Sequence, residues 1–239
     1  MLATASLGAV FSSCSPDFGL QGVCDRFGQI EPKILVGCDG YHYAGKAIDR
    51  MDVLAALAQK LRTVDTVLVI GYLSAQPDCS RLPNAILFDQ AVANATAITQ
   101  FRRMPFNAPL YILYSSGTTG APKCIVHGIG GTLIQHIKEH RLHTNIKPGD
   151  RLFYFTTCGW MMWNWLVSGL ASKAHIFLYE GNPAYPGPDR LWRLAEDEKI
   201  SIFGTSAKYI DSIKTSGFFP ADNVNLSSLR SILSTGSPL

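Results

Sequence analysis

The sequence predicts an α/β fold in which mostly parallel sheets are flanked by helices. Short apolar runs, rich in Val, Ile, Leu and aromatic residues, alternate along the chain with segments of helical periodicity. The chain has 239 residues, of which 47% are hydrophobic, so it can bury a sizeable core and is too apolar to be disordered. The alternation favours parallel strands, because a parallel pair needs a crossover connection that is usually a helix.

The predicted strands are the short apolar runs in this alternation. They are expected at residues 33–38, 66–72, 85–88, 110–114, 124–127, 151–156, 175–179, 200–204 and 229–233. The strands at 110–114 and 229–233 each lead into a loop rich in Ser, Thr and Gly. Loops that follow the carboxyl ends of strands are where α/β proteins usually place ligand contacts.

The predicted helices have apolar residues three and four positions apart, as Met51, Leu54, Ala55 and Ala58 do. They are expected at residues 49–61, 131–143, 160–171, 191–198 and 207–214. Residues 1–11 are apolar and small, and they predict a buried helix that runs into a strand. No turn or cap precedes Met1, and the sequence stops one residue after Pro238, within a loop. We therefore expect a fragment of a longer chain.

The composition excludes several classes of protein. The net charge is only +3, without the dense basic patch of a nucleic-acid-binding protein. The longest apolar stretch, residues 160–179, is interrupted by polar residues such as Asn164 and Lys173, which argues against a membrane-spanning helix. The six cysteines form no C-x-x-C pair and are expected to be reduced thiols, which favours a cytosolic location. No oligomeric state is predicted.

The segment between Tyr114 and Lys123 is the most informative part of the sequence. Six successive small residues follow a predicted strand, namely Ser115, Ser116, Gly117, Thr118, Thr119 and Gly120. Glycines allow backbone N–H groups to turn toward an anion, hydroxyl groups add donors, and Lys123 adds a positive charge. The pattern suits a polyphosphate, although it lacks the G-K-[ST] of a Walker A loop. A Ser- and Gly-rich surface turn is the alternative interpretation.

The ten-residue string 114–123 resembles the phosphate-binding signature of the acyl-adenylate-forming enzymes. This family includes acyl-CoA synthetases, luciferases and the adenylation domains of nonribosomal peptide synthetases. The resemblance covers nearly the whole chain and is carried also by residues 12–19, 130–136, 159–165 and 233–239. It implies that residues 1–239 are part of one AMP-binding domain, without the small C-terminal lid domain. Within the family, the string 159–165 is similar to that of ligases that activate acetoacetate.

The resemblance implies a two-step reaction and a set of binding residues. Acetoacetate would attack the α-phosphate of ATP, with Mg²⁺ present, and CoA would then displace AMP. The ATP phosphates would be held by Ser115, Ser116, Gly117, Thr118, Thr119, Gly120 and Lys123. The adenine and ribose side would be lined by Gly236, Ser237 and Pro238, although many relatives have an acidic residue at the position of Ser237. The acyl pocket would be lined by Trp160, Met161 and Thr235.

The sequence departs from the family by what it lacks. The downstream Tyr-x-x-Thr-Glu segment, the ribose-binding aspartate and the lysine of the lid domain would all follow Leu239. No residue is therefore assigned as catalytic, and the isolated chain is expected to be inactive. A fragment that only binds nucleotide is the alternative within this family.

A hypothesis from a different class is a zinc hydrolase. His136, Glu139 and His140 match the pattern H-x-x-E-H, and two histidines four residues apart share a face of a helix. Such a pair is more often part of an amphipathic face, and no third ligand is evident in the sequence.

Overall fold

The computed structural model describes residues 1–93, 95–115 and 120–237. The chain divides into two compact units, Met1–Ile129 and Gly130–Leu239, which are described separately. Within the described residues, no helix is both long enough and apolar enough to cross a membrane. None of the six cysteines, all of which lie in the described residues, forms a disulfide bond.

The first unit contains eight strands and four helices among its described residues. The strands are β1 (Phe11–Ser12), β2 (Ile34–Cys38), β3 (Gly40–Tyr43), β4 (Lys46–Asp49), β5 (Thr66–Ile70), β6 (Ala85–Leu87), β7 (Pro109–Tyr114) and β8 (Cys124–Gly128). The helices are α1 (Leu2–Ser6), α2 (Leu20–Phe27), α3 (Met51–Lys60) and α4 (Phe88–Ala93).

The second unit is built around one sheet. Its helices are α5 (Ile129–Lys138), α6 (Met161–Ser168), α7 (Arg190–Asp197), α8 (Ala207–Ser216) and α9 (Pro220–Asn223). A π-helical turn (Glu139–His143) follows α5, and a 3₁₀ turn (Gly169–Ser172) follows α6. The strands are β9 (Arg151–Tyr154), β10 (His175–Phe177), β11 (Ile202–Ser206) and β12 (Ser231–Thr235).

A parallel three-stranded sheet in the order β2-β5-β6 forms the core of the first unit. Alternate residues of β5 face opposite sides of the sheet, and Val67 and Val69 are the two that are fully buried. Helix α3 packs on that side through residues spaced three and four apart, including Leu54 and Leu57. A second sheet joins β1 and β7 in parallel, and β7 and β8 as an antiparallel pair.

The sheet of the second unit is entirely parallel, in the order β10-β9-β11-β12. Neighbouring residues of β9 point to opposite faces, and both faces are covered. Phe153 lies with Phe203 against α7 and α8, where the ring of Trp192 stacks on Phe203 with centroids 4.7 Å apart. Leu152 and Tyr154 lie on the other face, against α6. The register brings the carboxyl ends of β9, β11 and β12 to one edge.

The predicted fold class is confirmed by this arrangement, and most predicted strands and helices are present with ends shifted by a few residues. Residues 1–11 form a helix that leads into β1, as predicted, but the predicted burial is wrong, because α1 has only five residues and buries none of them. The helix predicted at 131–143 changes to π-helical geometry at Glu139. Ser234 and Thr235 belong to β12 rather than to a loop, because both pair with β11.

The β3–β4 hairpin and the helices α2, α4 and α9 were not predicted. The hairpin turns at Ala44 and Gly45, both of which have positive φ angles of 48° and 78°. Asn-Gly is the usual signal for a turn of this kind, and alanine in its first position conceals it.

The buried carboxylate of Asp39 organises the loop after β5. It accepts backbone hydrogen bonds from Tyr72, Leu73 and Ser74 at 2.7 to 3.2 Å. Burial raises the pKa of Asp39, but the hydrogen bonds from these N–H groups outweigh burial and lower it below its usual value. The folded structure therefore favours the ionised carboxylate.

We predict that Asp39→Asn lowers the free energy of unfolding by about 1.5–3 kcal/mol, because hydrogen bonds to a charged acceptor are lost inside the protein. Urea denaturation at neutral pH measures the effect. The control is Asp65→Asn, since Asp65 pairs with Lys33 at 4.0 Å with both side chains exposed and should contribute little. Equal, small effects of the two substitutions would contradict the role of Asp39.

Candidate functional site

The two described ends of the predicted phosphate loop are joined by hydrogen bonds. The N–H of Ser115 donates to the carbonyl of Lys123 at 3.0 Å, and the N–H of Lys123 donates to the Ser115 hydroxyl at 3.1 Å. These bonds extend the antiparallel pairing of β7 and β8 beyond the pair Tyr114 and Cys124. The predicted loop is therefore the connection of a hairpin, and its two ends are fixed by the sheet.

The phosphate-binding candidates fall partly outside the described residues. Ser116, Gly117, Thr118 and Thr119 lie outside them. Gly120 is exposed and has a φ of 153°, a backbone conformation that side chains disfavour. The side chain of Lys123 is exposed and forms no ion pair with the described residues. Its charge is thus available to an anion.

Tyr114 supports the first end of the hairpin connection. Its hydroxyl lies 2.9 Å from the hydroxyl of Ser12 on β1, the strand beside β7. Burial raises the pKa of Tyr114 to about 12, so its hydroxyl stays protonated. The Arg26 guanidinium lies 5.9 Å from the centre of the Tyr114 ring. These contacts give the connection a rigid base within the first unit.

Three hydrogen-bonding groups meet at the carboxyl edge of the sheet in the second unit. The Tyr154 hydroxyl donates to the carbonyl of Thr205 at 3.0 Å and lies 2.9 Å from the hydroxyl of Thr235. Because the Tyr154 proton is used toward Thr205, the Thr235 hydroxyl must be the donor in the second bond. Thr235, an acyl-pocket candidate, is therefore held in one orientation by the end of β9.

Gly204 makes room for the ring of Tyr154. The two residues are paired in the register of β9 and β11. A Cβ atom at position 204 would overlap the Tyr154 ring. The absence of a side chain at Gly204 therefore permits the tyrosine to lie across β11 and reach both Thr205 and Thr235.

The other acyl-pocket candidates lie at the start of α6. Trp160 is the residue before the helix and is 61% exposed, and Met161 opens the helix and is 47% exposed. Trp165, one turn further along, is in the core. The beginning of α6 thus presents large apolar side chains at the surface of this unit, while residues 164–167 of the helix are buried.

The candidates for the adenine and ribose side follow β12. Gly236 has a φ of 101°, which favours glycine, and both Gly236 and Ser237 are exposed. Pro238 lies outside the described residues. Gly236 thus allows a backbone conformation directly after Thr235 that a residue with a side chain would disfavour.

The two histidines of the H-x-x-E-H pattern are buried against α6. His136 Nδ1 and His140 Nε2 lie 2.8 and 2.9 Å from the hydroxyl oxygen of Ser168. The Glu139 carboxylate instead lies 3.0 Å from the Lys138 ammonium. Within the described part of the chain, no group of three His, Cys, Asp or Glu side chains is arranged to hold a metal ion. The geometry therefore assigns the histidines a hydrogen-bonding role and gives no support to the zinc hypothesis.

The family is shown by a comparison with protein-family models. A model described as AMP-binding enzyme matches residues 1–239. The chain belongs to the AMP-binding enzyme family.

Several members of this family resemble the chain over its whole length. An acetoacetyl-coenzyme A synthetase of Rhizobium meliloti (strain 1021) is 54% identical over 239 residues, which are 100% of this chain and 37% of the relative. The malonamoyl-CoA synthetase vrtB of Penicillium aethiopicum is 42% identical, with 100% of this chain and 36% of the relative covered. The solved structure of acetoacetyl-CoA synthetase from Streptomyces lividans matches with a TM-score of 0.93 and 44% identity, over 99% of this chain and 36% of that one. The chain thus spans little more than a third of these relatives.

Two residues in or near the candidate site were not recognised from the sequence. Tyr154 was visible only as part of an aromatic strand, and nothing in the pattern showed that its hydroxyl would reach two neighbouring strands. Ser168 was read as an interruption of an apolar stretch. No signal in the sequence placed it beside His136 and His140, which belong to a different helical segment.

We predict that the chain loses stability as the pH falls from about 6.5 to 4, in part because of His140. Burial, and then the nearby His136, lower the pKa of His140 to about 4, and a hydrogen bond to the Trp165 backbone and the charge of Glu139 only partly oppose this shift. The unfolded chain takes up this proton near pH 6.5 and the folded chain only near pH 4. The contribution of the neutral ring to the free energy of unfolding is therefore complete above pH 6.5 and is lost as the pH falls from 6.5 to 4. It amounts to about 3 kcal/mol.

Urea denaturation between pH 7.5 and 4.5 tests this prediction. Carboxylates also titrate in this range, so the quantity of interest is the difference between the wild type and His140→Gln, which should show a weaker pH dependence. His143→Gln is the matched control, because His143 lies in the same π-helical turn and is exposed. An unchanged pH dependence in His140→Gln would show that the ring does not titrate as described.

Proposed function

We propose that the chain is the ATP-binding part of an acid–CoA ligase that activates acetoacetate. The observation that carries the proposal is the hairpin connection of Ser, Thr and Gly residues, closed by the hydrogen bonds between Ser115 and Lys123, in a chain of the AMP-binding enzyme family. Its support is the 54% identity to the R. meliloti synthetase and the 0.93 TM-score to the S. lividans structure. We propose further that residues 1–239 form part of a single adenylation domain.

The proposed reaction has two steps. An oxygen of the acetoacetate carboxylate forms a bond to the α-phosphorus of ATP, the bond from that phosphorus to the bridging oxygen breaks, and pyrophosphate leaves. The thiol of CoA then loses its proton and forms a thioester with the acyl carbon, and AMP leaves with the carboxylate oxygen. The first step needs groups that stabilise and orient the phosphate charge. The candidates Ser115, Gly120 and Lys123, with residues 116–119, would bind the β- and γ-phosphates.

The phosphate-loop candidates include no carboxylate. Mg²⁺ is normally bound by one or two carboxylates and by the phosphates of the nucleotide. The described candidates contribute hydroxyl groups, backbone and an ammonium group, so they fit the phosphates rather than the cation. We propose that Mg²⁺ accompanies ATP, and we assign no residue of this chain to it.

The acid is proposed to contact the start of α6 and the end of β12. Trp160 and Met161 provide exposed apolar surface, and Thr235 provides a hydroxyl whose proton is directed to Tyr154. That hydroxyl oxygen keeps its capacity to accept a hydrogen bond. Acetoacetate and malonamate both carry a carbonyl at carbon 3 and differ by a methyl or an amino group. Because relatives are named for each of these acids, the comparison of the two is the relevant test of the substrate.

A cytosolic location is proposed on the ground of the cysteines. None of the six cysteines forms a disulfide bond, which suits a reducing compartment.

A chimaera provides the activity assay for the proposed function. The 239-residue stretch of the R. meliloti synthetase that aligns with this chain is replaced by this chain, since the alignment covers it completely. Pyrophosphate release and thioester formation are then measured with ATP, CoA, Mg²⁺ and either acetoacetate or malonamate. We expect turnover with acetoacetate. A chimaera that folds and releases pyrophosphate with neither acid would contradict the proposal.

We predict that Lys123→Ala weakens ATP binding by about 1.5–3 kcal/mol, because one charge-assisted contact with phosphate is lost. Calorimetric titration of the isolated chain and the KM for ATP of the chimaera measure this loss. Lys60→Ala is the control, because Lys60 is an exposed lysine at the end of α3. A raised KM for acetoacetate with an unchanged KM for ATP would remove Lys123 from the phosphate site.

We predict that Met161→Ala in the chimaera admits longer acids. Removing part of an apolar wall should raise the activation free energy for acetoacetate, calculated from kcat/KM, by about 1–3 kcal/mol. It should also improve relative activity with acids one or two carbons longer. Leu170→Ala is the matched control, because Leu170 is 43% exposed and lies just after α6. A profile of acid length that is the same for both variants would place Met161 outside the pocket.

A further inference from the structure

The hydroxyl of Ser168 is the meeting point of two helical segments in the second unit. Its oxygen lies 2.7 Å from the carbonyl oxygen of Trp165, 2.8 Å from His136 Nδ1 and 2.9 Å from His140 Nε2. Ser168 is the last residue of α6, whereas His136 belongs to α5 and His140 to the π-helical turn that follows it. One hydroxyl group therefore joins the end of α6 to two successive turns of the neighbouring segment.

The chemistry of the three contacts of the Ser168 hydroxyl assigns the proton in each of them. A carbonyl oxygen has no hydrogen, so the Ser168 hydroxyl must donate to Trp165. A serine hydroxyl has one proton and two lone pairs, so its remaining contacts must be bonds that it accepts. Both imidazoles are therefore donors, His136 through Nδ1–H and His140 through Nε2–H. As neutral rings, the two histidines are opposite tautomers.

The two histidine rings of the cluster are held in place by burial and by ring contacts. His136 is 7% exposed and His140 is fully buried. The His140 ring lies on Trp165 with centroids 4.3 Å apart, and the two imidazoles meet edge to face at 6.3 Å. Helix α6 carries no charged residue. A hydroxyl placed between two buried ring donors is costly to replace, because each N–H would lose its partner inside the protein.

We propose that Ser168 is a positioning residue for the acyl pocket. It holds the end of α6 against α5 and the π-helical turn, and thereby sets the direction of the helix that carries Trp160 and Met161 at its other end. The link to the pocket rests on the proposed function, whereas the tautomer assignment does not. Ser168 touches neither acid nor nucleotide in this arrangement. It acts through the placement of the helix.

The proton assignment is tested on the wild-type chain by ¹⁵N NMR of the histidine rings at neutral pH. The expected result is a protonated Nδ1 in His136 and a protonated Nε2 in His140, with His136→Gln and His140→Gln used to assign the signals. The same tautomer in both rings, or exchange between tautomers in either ring, would overturn the cluster as described. This outcome does not depend on what the protein binds.

The positioning role is tested in the chimaera by Ser168→Ala, Ser168→Thr and Ser172→Ala. Ser168→Ala should raise the KM for acetoacetate by up to about tenfold, the effect of one ordinary hydrogen bond, while the KM for ATP stays within about twofold. Ser168→Thr retains the hydroxyl and should restore most of the loss. Ser172→Ala is the matched control, because Ser172 is a buried serine in the 3₁₀ turn that follows α6 and its hydroxyl has no partner among the described residues.

Each outcome separates the two proposals. A chimaera that is active with acetoacetate, but in which Ser168→Ala behaves like Ser172→Ala, would overturn the positioning role and leave the proposed function standing. An inactive wild-type chimaera with the expected tautomers would overturn the proposed function alone. If Ser168→Ala does not fold, Ser168→Thr supplies the comparison, and a Thr variant with the acetoacetate KM raised about tenfold or more would count against the role of the hydroxyl.

Discussion

The parallel register of β9, β11 and β12 is the constraint on which the second unit depends. Parallel strands end at the same edge, so residues far apart in the sequence arrive there together. Tyr154, Thr205 and Thr235 are brought within hydrogen-bonding distance in this way. A slip of one residue in β9 would turn Tyr154 to the opposite face and would exchange the aromatic layer around Phe153 with the layer packed on α6.

In the first unit, an antiparallel pair of strands holds the two ends of the Ser- and Gly-rich connection. Long Ser- and Gly-rich connections lose much conformational entropy when they are ordered. Here the ends of the connection are part of a ladder, because Ser115 and Lys123 continue the pairing of β7 and β8. Because the sheet already holds the two ends together, it offsets part of the entropy lost when the connection is closed. The candidate phosphate-binding residues therefore follow directly after the last paired residue of β7.

The sequence predicted the fold and the segments of the candidate site for identifiable reasons. Residues 66–70 are a short run rich in Val, Leu and Ile, and Leu54 and Leu57 repeat with helical spacing, so β5 and α3 could be recognised from local pattern alone. The hydroxyl-rich segment beside Lys123 was likewise conspicuous. The contacts of Tyr154 and Ser168 were not predictable, because each depends on the register or packing of elements that are distant in the sequence. Ala44 concealed a hairpin since its positive φ is set by the strands on either side.

The fit between Gly204 and Tyr154 affects how genetic data on this protein should be interpreted. Gly204 lies inside a buried strand and approaches a ring that orients an acyl-pocket candidate. Any larger residue there would displace the ring, and the hydroxyl of Thr235 would lose its fixed orientation as a result. A screen for lost activity would therefore recover Gly204 variants alongside variants of residues that touch a ligand. Gly204 variants would lose activity because the Tyr154 ring is displaced, and not because a ligand contact is removed. A spectroscopic probe of the Tyr154 ring without ligand would distinguish them from variants of ligand-contacting residues.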